Sequence, residues 1–316
     1  MRRVVEFDGQ RVIVQQEAAP KPNPDEVLIQ LRLAGICSTD LALMRGYKDF
    51  HGMLGHEFVG EVISGPDTWL GQRVVGEINI GCGVCDMCQR GLKSHCRQRR
   101  ALGIFNYDGA FGDVFRLPVA NLHRVPDSVS DRQAVFVEPL AAAAQILQQI
   151  HIQPQQRVVV IGLGRLGLLV VQVLAHTTAE VTGVVRHERQ VALLRQWGIN
   201  ASRVEDVPLA QADVVVDCTG DVEGFHTALA LVRPRGTLVL KSTYEGLSAV
   251  ELTKVAVNEI TVVGSRCGPF PVAIRLLAHS RIDVESMIDG VYLLEEASQA
   301  LTHAGQSGTL KILLKP

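Results

Sequence analysis

Residues 156–176 read QRVVVIGLGRLGLLVVQVLAH, and this stretch decides the fold. Its first part, 157–161, is a β-branched run suited to a strand buried on both faces. Gly162, Gly164 and Gly167 follow in G-x-G-x-x-G spacing, and 166–175 is apolar enough for a helix packed on a sheet. Each glycine has a mechanical task. Gly162 permits the tight strand-to-helix turn, Gly164 lets a pyrophosphate approach the backbone, and Gly167 lets helix and strand pack closely. The helix opens at Arg165 and Leu166, whose end offers unpaired N–H groups and a positive dipole to phosphates. A glycine-rich turn in some other α/β sheet is the alternative, and the strands that follow disfavour it.

Downstream, strand-like runs at 181–185, 213–217, 236–241 and 260–264 alternate with helix-like runs at 188–197, 221–231 and 248–257. Such alternation of apolar strands and helices predicts a doubly wound parallel sheet. Upstream, short runs such as RRVVEF, EVLIQLRLAGI and EFVGEVI are separated by Gly and Pro, which predicts a mainly β domain. Pro139 is expected at the first position of a helix, PLAAAAQILQQI. After Gly264 come a helix, a short strand, a helix starting EEASQAL and a last strand in TLKILLK, a tail expected to return to the first domain. The fold class is therefore α/β, with domains at 1–145 plus 265–316 and at 146–264.

The chain has 316 residues, 47% of them hydrophobic, and a formal charge of −2 from 31 Lys+Arg and 33 Asp+Glu. Nothing in that balance points to nucleic acid or an anionic membrane as partner. The start, MRRVVEFDGQ, has no apolar core, so no signal peptide is expected. No run is long and apolar enough for a membrane span. A cytoplasmic protein is expected, and its seven cysteines are better read as thiols or metal ligands than as disulfides.

Four of those cysteines, Cys82, Cys85, Cys88 and Cys96, crowd into one glycine-containing loop, the lobe 81–97. The spacing suits a closed zinc site of four thiolates, which is structural because no coordination position stays open. An iron–sulfur cluster fits less well, since the fourth spacing is wrong and no Pro follows Cys96. A zinc ribbon on nucleic acid fits poorly with the charge. Elsewhere, Cys37-Ser38-Thr39-Asp40 and Gly55-His56-Glu57 bring a thiolate, an imidazole and a carboxylate, the ligand types of an open catalytic zinc site. Taken singly, each has an ordinary packing or capping explanation.

The order C-S-T-D, G-H-E, the four-cysteine lobe, V-E-P-L and G-x-G-x-x-G resembles the zinc-dependent medium-chain alcohol dehydrogenases over nearly the whole chain. The resemblance implies a GroES-like catalytic domain and a Rossmann domain. Carried over, it makes Cys37 and His56 the constant ligands of a catalytic zinc. In the polyol and threonine dehydrogenase branches, which this chain resembles, Glu57 and Glu138 share the remaining positions, one binding directly and the other through water or on exchange. Glu138, next to Pro139, also suits a helix N-terminus on dipole grounds alone. Thr39 matches the hydroxyl that takes the alcohol's proton, and Asp40 the carboxylate that orients the zinc histidine, here His56. Ala42 stands where many relatives carry a relay histidine, so the relay ends in ribose, water or another residue; His51 is a candidate by proximity in sequence. The implied reaction is hydride transfer between an alcohol, such as a polyol, secondary alcohol or sugar, and a nicotinamide cofactor, with zinc as Lewis acid. A homo-oligomer is expected by the same resemblance. The rivals are a zinc-free quinone or enoyl reductase, which lacks these ligands, and a catalytically silent NAD(P)-sensing homologue.

The adenosine end reads separately. An acidic residue at the end of the second strand selects NAD by bonding the ribose hydroxyls. Here that strand ends Val184-Val185-Arg186-His187, which puts Val185 where NAD enzymes carry Asp. Arg186 is free to meet a 2′-phosphate, so NADP is expected over NAD. An arginine stacked on adenine would leave NAD usable.

Overall fold

The computed structural model describes residues 1–244 and 249–316. The chain forms two compact units, Met1–Glu138 with Phe270–Pro316, and Pro139–Pro269. These divisions fall at 138/139 and 269/270, where 145/146 and 264/265 were expected. The first lies inside a helix. It runs Val137–Ala144, so Pro139 is its third residue and not its first. Proline is tolerated there because the N–H groups of a first turn have no partner within the helix.

The second unit is a six-stranded parallel sheet in the spatial order Asn200–Ser202, Glu180–Val184, Arg157–Ile161, Ala212–Asp217, Val232–Leu240, Thr261–Gly264. That is the doubly wound order, with its switch point between Arg157–Ile161 and Ala212–Asp217. The inner strands Arg157–Ile161 and Ala212–Asp217 are Val-rich and mostly buried, as strands covered on both faces are, whereas the edge strands Asn200–Ser202 and Thr261–Gly264 are largely exposed. Helix Arg165–Ala175 buries nearly its whole length. Helices Glu188–Gln196 and Val222–Leu231 match expectation closely, the latter capped by Asp221, whose Oδ1 accepts from Gly224 N at 2.6 Å. Helix Leu252–Val257 covers the end of the third expected helix, whose residue 248 lies outside the described residues. Strand Asn200–Ser202 was not expected; three residues are too few to show a period.

The first unit is mainly β, with a seven-stranded sheet and a smaller three-stranded one. Strand Glu26–Gly35 lies at its centre. It pairs antiparallel with Glu57–Ser64 and Val114–Pro118, and with the C-terminal strand Lys311–Lys315 through Leu313↔Gly35 and Leu314↔Ala34. The tail therefore closes the sheet beside the residues that lead into Cys37. This is the GroES-like arrangement.

Candidate active site and zinc lobe

Cys37 ends the connection from strand Glu26–Gly35 and is the N-cap of helix Ser38–Met44. Asp40, in that helix's first turn, is fully buried and works in two directions. Its Oδ2 accepts from Cys37 N at 2.8 Å, which satisfies an orphan donor of the helix end. Its Oδ1 lies 3.2 Å from His56 Nδ1, though neither atom gains a well-directed hydrogen bond. A ring that offers Nε2 to a metal keeps its proton on Nδ1, facing such a carboxylate. The pair is arranged for that tautomer.

His56 and Glu57 are placed by Gly55. Its φ of +97° is left-handed, and a Cβ there would come within 2.2 Å of Phe111. Only glycine turns the chain this way at so crowded a point. Glu57 begins strand Glu57–Ser64 and forms a buried ion pair with Lys311. Gly35 makes room for it, since a Cβ there would lie 2.6 Å from Glu57 Oε2. Cys37, His56 and Glu57 thus converge, with one donor atom of each within 4.8 Å of the others. A soft thiolate, an imidazole and a carboxylate are a donor set that zinc accepts.

The remaining candidates divide. Thr39 is half-buried in the first turn of the same helix. Glu138 is half-buried in the first turn of Val137–Ala144 and lies outside the three-residue cluster. His51 is exposed and stacks on Gly9, where a Cβ would meet its ring at 2.2 Å. Lys311 had no role in the sequence reading. Its one signal is a lysine amid the apolar residues of TLKILLK.

Cys82, Cys85, Cys88 and Cys96 form the second cluster, again with all four sulfurs within 4.8 Å. Cys85 Sγ and Cys96 Sγ are 3.8 Å apart, close to the edge of roughly 3.8 Å of a tetrahedron with Zn–S bonds of about 2.3 Å. Backbone N–H groups point at the sulfurs: Cys82 N and Gln98 N lie 3.2 and 3.3 Å from Cys96 Sγ. Such donors favour thiolate, and those of Arg97 and Cys88 bring the Cys85 thiol down to about 6. The lobe is thereby prepared for a metal with four sulfur ligands.

In the parallel sheet the three glycines meet different surroundings. Gly162 has φ +78°, and a Cβ there would sit 2.6 Å from the Cys218 and Thr219 backbone. A Cβ at Gly167 would lie 2.2 Å from Gly162 O, whereas at Gly164 it would meet nothing within 4 Å. That open space lies at the N-terminus of helix Arg165–Ala175, the place for a pyrophosphate. At the end of strand Glu180–Val184, Val185 is buried and Arg186 exposed. Arg203 comes alongside: its Nη1 donates to Arg186 O and its Nη2 to Glu188 Oε1, both at 2.7 Å. Sequence reasoning missed Arg203, which follows the unrecognised short strand.

A doubly wound nucleotide sheet, in one chain with a mainly β unit that carries a Cys/His/Glu cluster and a four-thiol lobe, defines a zinc-type dehydrogenase. The comparisons agree. Residues 23–127 match the alcohol dehydrogenase GroES-like domain, and residues 166–279 match the zinc-binding dehydrogenase domain. The chain is 29% identical to a sorbitol dehydrogenase of Halalkalibacterium halodurans, over 96% of this chain and 95% of that one. It is 27% identical to the D-arabitol-phosphate dehydrogenase of Enterococcus avium, over 94% and 92%. Among solved structures, it is similar to a zinc-binding dehydrogenase from Sinorhizobium meliloti bound to NADP (TM-score 0.91, 28% identity, 100% and 99% covered). Another is the alcohol dehydrogenase TADH from a Thermus species (TM-score 0.89, 27% identity, 99% of each). The chain belongs to the zinc-dependent medium-chain alcohol dehydrogenases, in their polyol-dehydrogenase-like branch. It is an NAD(P)-dependent oxidoreductase acting on a small alcohol or carbonyl compound.

Proposed function

We propose that this enzyme interconverts a polyol or related secondary alcohol, free or phosphorylated, with its carbonyl form, at a zinc held by Cys37, His56 and Glu57. The convergence of those three side chains within 4.8 Å carries the reading. Zinc at such a site supplies a Lewis acid for the reacting oxygen. The chain's residues do the rest. Asp40 fixes the His56 ring, Lys311 holds the Glu57 carboxylate, and Glu138 is the carboxylate available for exchange. Thr39 receives the alcohol's proton. With Ala42 in the chain, that proton continues to cofactor ribose or water, and His51 is left to packing. The four-cysteine lobe holds a second, structural zinc.

For the cofactor, NADP is the preferred form. What supports this is the absence of an acid at Val185, the exposed Arg186 that follows it, and Arg203, which donates to the Arg186 backbone and pairs with Glu188. Charge-assisted bonds to a phosphate contribute about 1.5–3 kcal/mol each. The protein is further proposed to be a cytoplasmic homo-oligomer: its seven cysteines form no disulfide, which suits a reducing compartment, and the oligomer rests on the family resemblance.

The test is a panel of polyols, polyol phosphates, secondary alcohols, amino alcohols and sugars, assayed with both cofactors at the reduced-nicotinamide absorbance band. Turnover of a polyol or its phosphate is expected. Tight cofactor binding without turnover of any alcohol would replace this reading with a silent NAD(P)-sensing one.

A further inference from the structure

The Rossmann sheet carries a buried lysine that no step above uses. Long cationic side chains normally keep their charge in water. Lys241, one residue past strand Val232–Leu240, is only 5% exposed. Its Nζ donates to Ser265 Oγ at 3.1 Å and to Arg266 O at 2.8 Å. Both acceptors follow the neighbouring strand Thr261–Gly264.

Its location gives it a job. In a doubly wound sheet the dinucleotide crosses the switch point at the carboxyl ends of the strands. Its pyrophosphate belongs at Gly164 and its adenosine over the end of Glu180–Val184. The nicotinamide half must then extend the other way, over the ends of Ala212–Asp217, Val232–Leu240 and Thr261–Gly264. Those three ends are pinned by buried polar groups. Asp217, wholly inaccessible, accepts from Thr219 N at 2.8 Å, from Thr219 Oγ1 at 2.7 Å and from Tyr244 Oη. Backbone bonds continue past the strands, from Lys241 N to Asp217 O and from Ser265 N to Leu240 O, both at 2.9 Å. Beside them Gly264 faces open space, with nothing within 4 Å of where a Cβ would be.

We propose that Lys241 is a positioning residue for the nicotinamide half of the cofactor. Its ammonium ties the ends of two neighbouring strands into one fixed shelf. A flat ring with a carboxamide needs backbone donors and acceptors held in place before it arrives, and a looser shelf would have to be ordered on binding. This role is independent of the alcohol substrate and of zinc.

The experiment compares two ligands by calorimetry on the full chain: the reduced dinucleotide, and ADP-ribose or its 2′-phosphate, which lacks the nicotinamide. Lys241→Met should weaken the whole dinucleotide about tenfold and leave the fragment within about twofold. It should also lower the fluorescence gain of the bound reduced ring. Ser265→Ala, which removes the bond to Ser265 Oγ, should act in the same direction by about threefold. Equal losses for both ligands, or no loss for either, would overturn the proposal. If Lys241→Met does not fold, Ser265→Ala decides by the same comparison.

Discussion

Glu57 and Lys311 lie 254 positions apart in sequence and form an ion pair with side chains 1% and 2% exposed. The ammonium also lies 3.5 Å from Ile36 O and 5.3 Å from the centre of the Phe136 ring. The C-terminal strand thus delivers a cation to the back of the Cys37–His56–Glu57 cluster. A carboxylate held this way is fixed in place within the cluster, with its buried charge balanced.

Removing one partner of a buried pair leaves the other charge uncompensated, at a cost of about 3–5 kcal/mol. Lys311→Met should lower unfolding free energy by roughly that amount, and Glu57→Gln combined with it should recover a large part. Urea titrations of the two single variants and the double variant measure the coupling. Strictly additive losses would mean that the two side chains do not act as a pair.

Glu57→Gln and Glu138→Gln should each reduce turnover or zinc retention, because each removes a charged donor proposed for the catalytic metal. Metal analysis after dialysis, together with kcat, reads the effect. A variant that leaves both unchanged removes that residue from the site.

The two cysteine sites should separate by consequence. Purified protein should hold close to two zinc ions per chain. Structural zinc binding is folding free energy, on the order of 10 kcal/mol in small zinc domains. Cys85→Ser should therefore lower stability and solubility sharply. Cys37→Ala should stay folded, bind cofactor and lose turnover. A Cys85→Ser protein that melts with the wild type would refute a structural role for the lobe.

Arg186→Ala and Arg203→Ala should each lower kcat/KM with NADP by about ten- to a hundredfold and change that with NAD far less. The ratio of the two cofactors in the unaltered protein should favour NADP. A clear preference for NAD would count against the 2′-phosphate pocket.

Acid stability should depend on Asp113. Burial raises its pKa, but hydrogen bonds from the Arg3 side chain and Arg3 N bring it below the usual carboxylate value. A depressed folded-state pKa gives stabilisation that is present above the unfolded value of about 3.9 and lost as pH falls through the folded one. Asp113→Asn should thus cost about 1 kcal/mol near pH 7 and little near pH 2. Thermal melts at the two pH values check the sign; a larger gap in acid would contradict it.

The features legible along the chain were local ones. Strand and helix periods, the G-x-G-x-x-G turn and the spacing of Cys82, Cys85, Cys88 and Cys96 each depend on neighbours a few residues away. That was enough to read the doubly wound sheet, the clustering of the four cysteines and the family. Which distant residues meet became visible only in the folded chain. Lys311 against Glu57, Arg203 against Arg186, and Lys241 against Ser265 join different strands, and no periodicity announces them. Pairing between strands fixes such contacts, and burial then turns an ordinary surface lysine into a working part of a site, because a charge removed from water must find its partners within the fold.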